Sequence, residues 1–431
     1  MTYCKIIEPR FQSTVDYGMI CYFKGPNTFT GEDIVEFNLH GSLAVVKKVL
    51  KGIEELNGSD SRNEDKFVYR VAENGEFIKR AFFNNKLDLT EVEGLQDLLN
   101  SETDAQLKLA LKQVSGETKK IYDNIRTQII DSLATLEAFI DFSEDEEIDS
   151  MVLNRAKENG IEVLKQMDYY LNDQRRGEIL TSGIKLTILG PPNAGKSSLL
   201  NYFVQKELAI VSNIPGTTRD IVSGTINLDG LPLVINDTAG IRDTLDPIEK
   251  EGVKRALKIG DNSDINLLVF DGMELLNNNN NKLLNNDKLN LKIPTMILIN
   301  KSENINEIEK QKIKEYLKEI FNQHEIILNY IFISCKYNQN LNEFLNELSN
   351  YLKNKFEDNV LKSSIITNER HRIHLNRAKQ ELQLFLDIID IDIVLASEHL
   401  KLVAQEIGNI TGIITHDQVL DQLFKGFCIG K

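Results

Sequence analysis

The segment Gly190-Pro-Pro-Asn193-Ala194-Gly195-Lys196-Ser197-Ser198 satisfies the spacing GxxxxGK[ST]. In that pattern glycines let backbone amides wrap a phosphate, the lysine reaches the β- and γ-phosphates, and the hydroxyl ligates Mg²⁺. The apolar run Ile184–Leu189 precedes it and a helical pattern with Leu199 and Leu200 follows. A phosphate held there meets a helix N-terminus, whose dipole favours negative charge.

Further along the chain come segments that complete such a site. Asn213-Ile214-Pro215-Gly216-Thr217-Thr218-Arg219-Asp220 lies between the helix and the next strand pattern, and places Thr218 to ligate Mg²⁺ when a γ-phosphate is present. Asp237-Thr238-Ala239-Gly240 ends an apolar run; Asp237 can hold Mg²⁺ through water and the Gly240 amide can sense the γ-phosphate. Asn300-Lys301-Ser302-Glu303 and Ser334-Cys335-Lys336 each close a strand pattern, the first where a base-reading Asn-Lys-x-Asp is expected and the second to back the guanine O6. Their order and spacing favour a guanine nucleotide over an adenine one. Glu303 keeps the carboxylate but sets it one methylene further out, which bears on guanine affinity. No water-orienting glutamine follows Gly240, since Ile241 stands there, so another group must orient water and offset the developing charge.

The chain that must position these residues has 431 residues, enough for two or three domains. With 41% hydrophobic and 27% charged residues it reads as globular, and no apolar run approaches the roughly 20 residues of a membrane-spanning helix. Four cysteines without CxxC spacing argue against a disulfide scaffold or a zinc site. A net charge of −15 argues against a broad RNA- or DNA-binding surface on the chain alone, although a local basic patch or a basic partner can bring RNA in. Met1-Thr-Tyr-Cys-Lys reads as neither a secretory leader nor a transit peptide.

Residues 18–25 and 34–39 predict short strands and Leu43–Leu56 a helix, together a small α+β region over residues 1–86. Residues 87–181 predict long helices, with Leu95, Leu98, Leu99, Leu107, Leu109, Leu111 and Val114 at helical spacing. The acidic stretch 141–149 reads as a solvated connection rather than a metal site, its carboxylates being consecutive. Residues 182–355 alternate strands (184–189, 222–228, 233–236, 265–270, 295–300 and 331–334) with helices, which predicts a mostly parallel, doubly wound sheet. The asparagine tract 277–281 within it reads as a disordered loop insertion, and residues 356–431 predict helices again. The simplest architecture inserts an α/β nucleotide-binding domain into a helical domain.

These motifs, with Gly25-Pro-Asn-Thr-Phe-Thr-Gly-Glu-Asp33, His40-Gly41, Arg80-Ala-Phe-Phe-Asn-Asn-Lys-Leu-Asp88 and the terminal Phe427-Cys428-Ile429-Gly430-Lys431, resemble the MnmE (TrmE) family of tRNA-modification GTPases from about residue 16 to 431. The resemblance implies a Ras-like G domain inserted in the helical domain and an N-terminal domain that dimerises and binds a one-carbon tetrahydrofolate (5,10-methylene or 5-formyl). It implies potassium-stimulated GTP hydrolysis, with K⁺ held by Asn193, Ser212, Ile214 and Thr217, Mg²⁺ by Ser197 and Thr218, and Glu249 as the catalytic glutamate. Folate contacts carry over to Glu36, Lys86 and Lys431, with Cys428 beside them. The partner implied is an FAD-dependent protein of the MnmG (GidA) type, and the substrate is the wobble uridine of certain tRNAs.

Members of the family begin with a further strand–helix segment bearing an Arg-Ile-Ser-Gly stretch and a folate-contacting arginine. This chain starts beyond it and matches poorly before Tyr17, so the N-terminal domain is expected to be incomplete, weakening dimerisation and folate binding. The asparagine tracts suggest an AT-rich eukaryotic genome and a mitochondrial setting; otherwise the compartment is the cytoplasm. Two other readings share the nucleotide motifs: a regulatory or ribosome-assembly GTPase, which predicts a basic appendage and a different C-terminus, and a GTP-binding scaffold without folate-dependent modification.

Overall fold

The computed structural model describes residues 1–57, 68–142, 150–205, 209–210, 225–236, 263–277, 292–321, 326–357 and 366–413. In chain order its elements are strands β1 (Thr2–Ile7), β2 (Thr14–Phe23) and β3 (Ile34–Asn38), then helices α1 (Leu43–Glu54), α2 (Glu76–Phe83), α3 (Leu89–Asn100), α4 (Asp104–Val114), α5 (Glu117–Phe142), α6 (Ser150–Leu171) and α7 (Arg176–Ser182). There follow β4 (Ile184–Leu189), α8 (Lys196–Gln205), β5 (Ala209–Ile210), β6 (Thr225–Leu228), β7 (Leu231–Asn236), β8 (Ile265–Asp271), α9 (Gly272–Leu276), β9 (Thr295–Asn300), α10 (Glu307–Phe321), β10 (Ile327–Phe332), α11 (Leu341–Leu352), α12 (Glu369–Ile388) and α13 (Ile393–Thr411). The chain forms two units: residues 1–96, 112–156 and 388–431 make one, and residues 97–111 and 157–387 the other.

In the first unit β1, β2 and β3 form an antiparallel sheet in that order. Strand β1 was not among the predicted elements: Tyr3 pairs with Met19 and Lys5 with Tyr17 across the ladder. The loop after β2 is pinned by Asp33, which accepts from the Gly25 amide (2.9 Å) and the Tyr22 hydroxyl (2.7 Å). Arg80 on α2 then reaches Glu32 (2.9 Å), and Asn84 donates to the Thr30 carbonyl (2.8 Å). Two sequence segments that carry the family resemblance, residues 25–33 and 80–88, are thereby brought together. A second fork, Arg70 on Glu76 with Arg80 beside it, holds the Glu76 carboxyl down at about 2.

Helix α3 starts with a capping box. Asp88 accepts from the Glu91 amide while Glu91 accepts from the Asp88 amide, both at 2.8 Å, which satisfies two otherwise orphaned donors. Helix α5 buries Tyr122, Ile125, Ile129 and Leu136, and α13 buries Ala396, Leu400, Val403, Ile407 and Ile410; both sets repeat every three to four residues, and the two helices pack together.

The second unit holds a seven-stranded sheet in the order β10-β9-β8-β4-β7-β6-β5. Strands β10, β9, β8, β4 and β7 are parallel, and β6 and β5 add an antiparallel edge, as the mostly parallel expectation requires. Strands β8 and β9 are buried throughout. Leu267, Val269, Met296 and Leu298 face a core completed by Leu199 and Phe203 of α8 and Phe344 and Leu348 of α11. Leu268, Phe270, Ile297 and Ile299 face the opposite layer with Ile313, Leu317 and Phe321 of α10. Successive residues of a strand point to opposite faces, so continuous apolar runs mean that both faces are covered. Each such side chain contributes roughly 1.5–3 kcal/mol by burial.

Two strand expectations need correction. The last strand is Ile327–Phe332 rather than 331–334; Ser334 lies beyond it and forms an isolated bridge with Gln339. The expected strand 222–228 is described over Thr225–Leu228, with residues 222–224 outside the described set. Residues 143–149, 278–281 and 414–431, which carry the acidic connection, most of the asparagine tract and the C-terminal motif, also lie outside it.

Candidate nucleotide-binding site

Strand β4 delivers the chain to Gly190 at φ 150°, where a Cβ would lie 2.1 Å from the Val269 carbonyl oxygen. Only glycine lets the loop pass so close to β8. The turn continues through Asn193 at φ 61° to Gly195 at φ 100°, where a Cβ would lie 2.0 Å from the Asn300 side-chain nitrogen. Lys196 then opens α8 and folds back over the loop, its ammonium donating to the Gly190 (3.0 Å) and Pro191 (2.7 Å) carbonyls. Ala194 is buried, whereas Asn193, Ser197 and Ser198 are exposed on the outer side of the loop and the start of α8. The result is a cradle that side chains would fill, with a cation inside it and two hydroxyls at a helix N-terminus, a donor set that would suit a polyphosphate with a divalent cation.

Asn300, at the end of β9, is 3% exposed and ties the two halves of the site together. Its amide nitrogen donates to the Ala194 carbonyl (2.9 Å) and its amide oxygen accepts from the Cys335 backbone amide (3.0 Å). The phosphate loop and the Ser334-Cys335-Lys336 turn are thus fixed to one side chain. Ser334 is fully buried and exchanges backbone hydrogen bonds with Gln339, both at 3.1 Å. Lys336 is exposed and lies over the Tyr337 ring.

Lys301 adopts a left-handed backbone (φ 59°) and its ammonium pairs with Asp271 at 2.5 Å. Glu303 sits in the short turn Ser302–Asn304, and its Oε2 is shut off from solvent with no hydrogen-bond partner among the described residues. A desolvated, unpaired carboxylate oxygen costs free energy that an incoming N–H donor repays. The ring and exocyclic N–H groups of a guanine would supply such a donor, whereas adenine presents an acceptor at the equivalent ring position. Burial, and then the Glu303 charge, push the neighbouring Cys335 thiol up to about 11, so it stays protonated. Glu303→Ala is expected to weaken GDP binding by roughly tenfold or more. A competition titration of GDP against ADP measures it, with preference collapsing through loss of GDP affinity alone.

The structure therefore brings together Asn193, Ala194, Gly195, Lys196, Ser197, Ser198, Asn300, Lys301, Glu303, Ser334, Cys335 and Lys336. Ser212, Asn213, Ile214, Pro215, Gly216, Thr217, Thr218, Asp237, Thr238, Ala239, Gly240 and Glu249 lie outside the described residues, as do Cys428 and Lys431. Glu36, on β3 opposite Cys21, and Lys86, whose stem backs onto Gly31, are both exposed. Asp271 was not singled out by the sequence. Its signal was weak: one acidic residue ending an apolar strand.

The family description "MnmE helical domain" matches residues 89–428, and "GTP-binding protein TrmE N-terminus" matches residues 1–86. The chain belongs to the MnmE/TrmE family. It is 42% identical over 432 residues to the tRNA modification GTPase MnmE of Rickettsia rickettsii (strain Sheila Smith), an alignment spanning 100% of this chain and 90% of that relative. The protein of the same name from Rickettsia conorii is 41% identical over the same shares. That from Rickettsia felis is 42% identical over 98% of this chain and 82% of its own length. Similarity to the family thus takes in the first 16 residues as well, in agreement with the pairing of β1, where the sequence motifs alone had suggested a start near residue 16.

Proposed function

We propose that this chain hydrolyses GTP as part of the complex that modifies carbon 5 of the wobble uridine in tRNA. The reading is carried by one observation: on a chain aligned over its whole length with 90% of an MnmE relative, Asn300 binds the phosphate loop and the base-side turn into a single site.

Lys196 and the amides of the loop hold the β- and γ-phosphates, and Asn300 and Glu303 read the guanine edge. Water adds to the γ-phosphorus as the bond to the β–γ bridging oxygen breaks, giving GDP and phosphate. When bound, Mg²⁺ and K⁺ neutralise charge that develops on the phosphates. Ser197 and Thr218 would hold the first, and Asn193 with the Ser212, Ile214 and Thr217 segment the second, in place of an arginine finger. Glu249 would position the attacking water indirectly.

The two nucleotide states switch the G domains of a homodimer joined through the N-terminal domains, and that motion reorganises the complex with an FAD-dependent MnmG-type partner. Glu36, Lys86 and Lys431 hold the one-carbon tetrahydrofolate. Much of the tRNA contact belongs to the partner, in keeping with a net charge of −15 on this chain. The compartment is the bacterial cytoplasm, a reading supported by the bacterial source of the relatives above, or the mitochondrion if the chain is eukaryotic.

Single-turnover hydrolysis in matched K⁺ and Na⁺ buffers tests this mechanism. The rate is expected to be about tenfold or more higher in K⁺. Equal rates would remove potassium from the account, and hydrolysis of ATP as fast as GTP would remove guanine recognition.

A further inference from the structure

We propose that Asp271 is a positioning residue for guanine recognition, anchoring the Lys301 ammonium so that the lysine stem forms one wall of the base pocket. The inference rests on the guanine-nucleotide reading above and names a residue which that reading does not require.

Asp271 is the last residue of β8 and the register partner of Asn300 on β9, so it stands at the carboxyl ends of the parallel strands, where open α/β sheets bind their ligands. It is 5% exposed, and both of its oxygens are engaged. Oδ1 accepts from the Met273 amide at 2.9 Å, capping α9, and Oδ2 accepts from the Lys301 ammonium at 2.5 Å. The cap accounts for Oδ1 alone. Oδ2 is spent on a lysine whose backbone is held in the left-handed region, an uncommon conformation for a residue with a Cβ.

That turn directs the Lys301 side chain across the end of the sheet, and the ion pair fixes its far end. The lysine side chain is 42% exposed, so its methylene stem lies open between two fixed points. Glu303, two residues on, carries the unpartnered oxygen that reads the edge of a purine. An edge reader beside an anchored, open apolar stem is suited to a flat ring whose face packs on the stem. Without the anchor a lysine keeps most of its rotamer freedom, and binding must then order it.

Asp271→Asn separates the two roles. Asparagine caps a helix about as well as aspartate, so Oδ1 is replaced in kind while the charge facing Lys301 is lost. The full chain and its Asp271→Asn, Lys301→Ala and double variants are titrated with fluorescent GDP, and inorganic triphosphate, which has no base, is used as a competitor. Asp271→Asn is expected to weaken GDP binding roughly three- to tenfold, to leave triphosphate competition unchanged, and to add less than about twofold in the Lys301→Ala background.

GDP affinity equal to the parent would overturn the proposal. So would an equal loss with and without Lys301, or a parallel loss of triphosphate binding, since either places the effect in α9 or in the whole site. If the parent chain itself binds no guanine nucleotide, the functional reading fails first, and that result is distinct from all of these.

Discussion

Lys196→Ala is expected to lower GTP affinity by about 100-fold or more while leaving the unfolding midpoint without nucleotide close to that of the parent. The ammonium bridges the Gly190 and Pro191 carbonyls and lies inside the cradle formed by Gly190, Asn193 and Gly195. Alanine removes both hydrogen bonds and the positive charge from a loop whose other donors are neutral amides. The loop backbone should survive, because its shape depends on the two glycines and on Asn300 holding Ala194. Titration with fluorescent GTP, paired with thermal unfolding, measures both effects. Affinity within threefold of the parent would show that the loop is not the phosphate cradle.

The second large effect falls on stability. Arg372 on α12 donates through Nε to Glu178 (2.6 Å), through Nη2 to Asp173 (2.6 Å) and through Nη1 to the Leu171 carbonyl (3.0 Å). Both carboxylates are buried, Glu178 also meets Arg175, and Asp173 also accepts from the Arg175 amide. The network closes over the left-handed pair Gln174 and Arg175 (φ 55° and 60°), immediately before α7, which leads into β4 and the phosphate loop. Arg372→Ala takes the shared guanidinium from two buried carboxylates, leaving Asp173 with a backbone amide and Glu178 with Arg175, and frees that turn, so a loss of roughly 3–5 kcal/mol is expected in urea unfolding. Arg372→Lys should recover only part of it, because a point charge cannot serve three acceptors in a fixed fork. A loss below about 1 kcal/mol for the alanine variant would mean that water substitutes for the guanidinium.

How much of this was legible in the sequence depended on whether a segment's role was local. Strands β4, β8 and β9 were readable because they are uninterrupted apolar runs, and burial on both faces is what such runs require. Asn300, Lys301 and the phosphate loop were readable because their chemistry sits at fixed spacing. Strand β1 was not, because Thr2–Ile7 is mostly exposed and has no apolar face to announce it; its ladder to β2 defines it. Strand β10 was placed late because Ile326 to Phe332 is broken by Asn329, whose side chain turns to Glu347 of α11. Asp271 and the Arg372 network were invisible for another reason. Their partners lie 30 and about 200 positions away, and only the register of β8 on β9 and the packing of α12 bring them together. The desolvated oxygen of Glu303 likewise depends on the short turn that carries it.

The most direct measurement is the nucleoside composition of tRNA from cells that lack their own family member and carry this chain. The account predicts that C5-modified wobble uridine returns with the parent chain and stays absent with Lys196→Ala, both proteins being present at equal level. Return of the modified nucleoside with Lys196→Ala, or its absence with a parent chain that hydrolyses GTP beside a working partner, would contradict it.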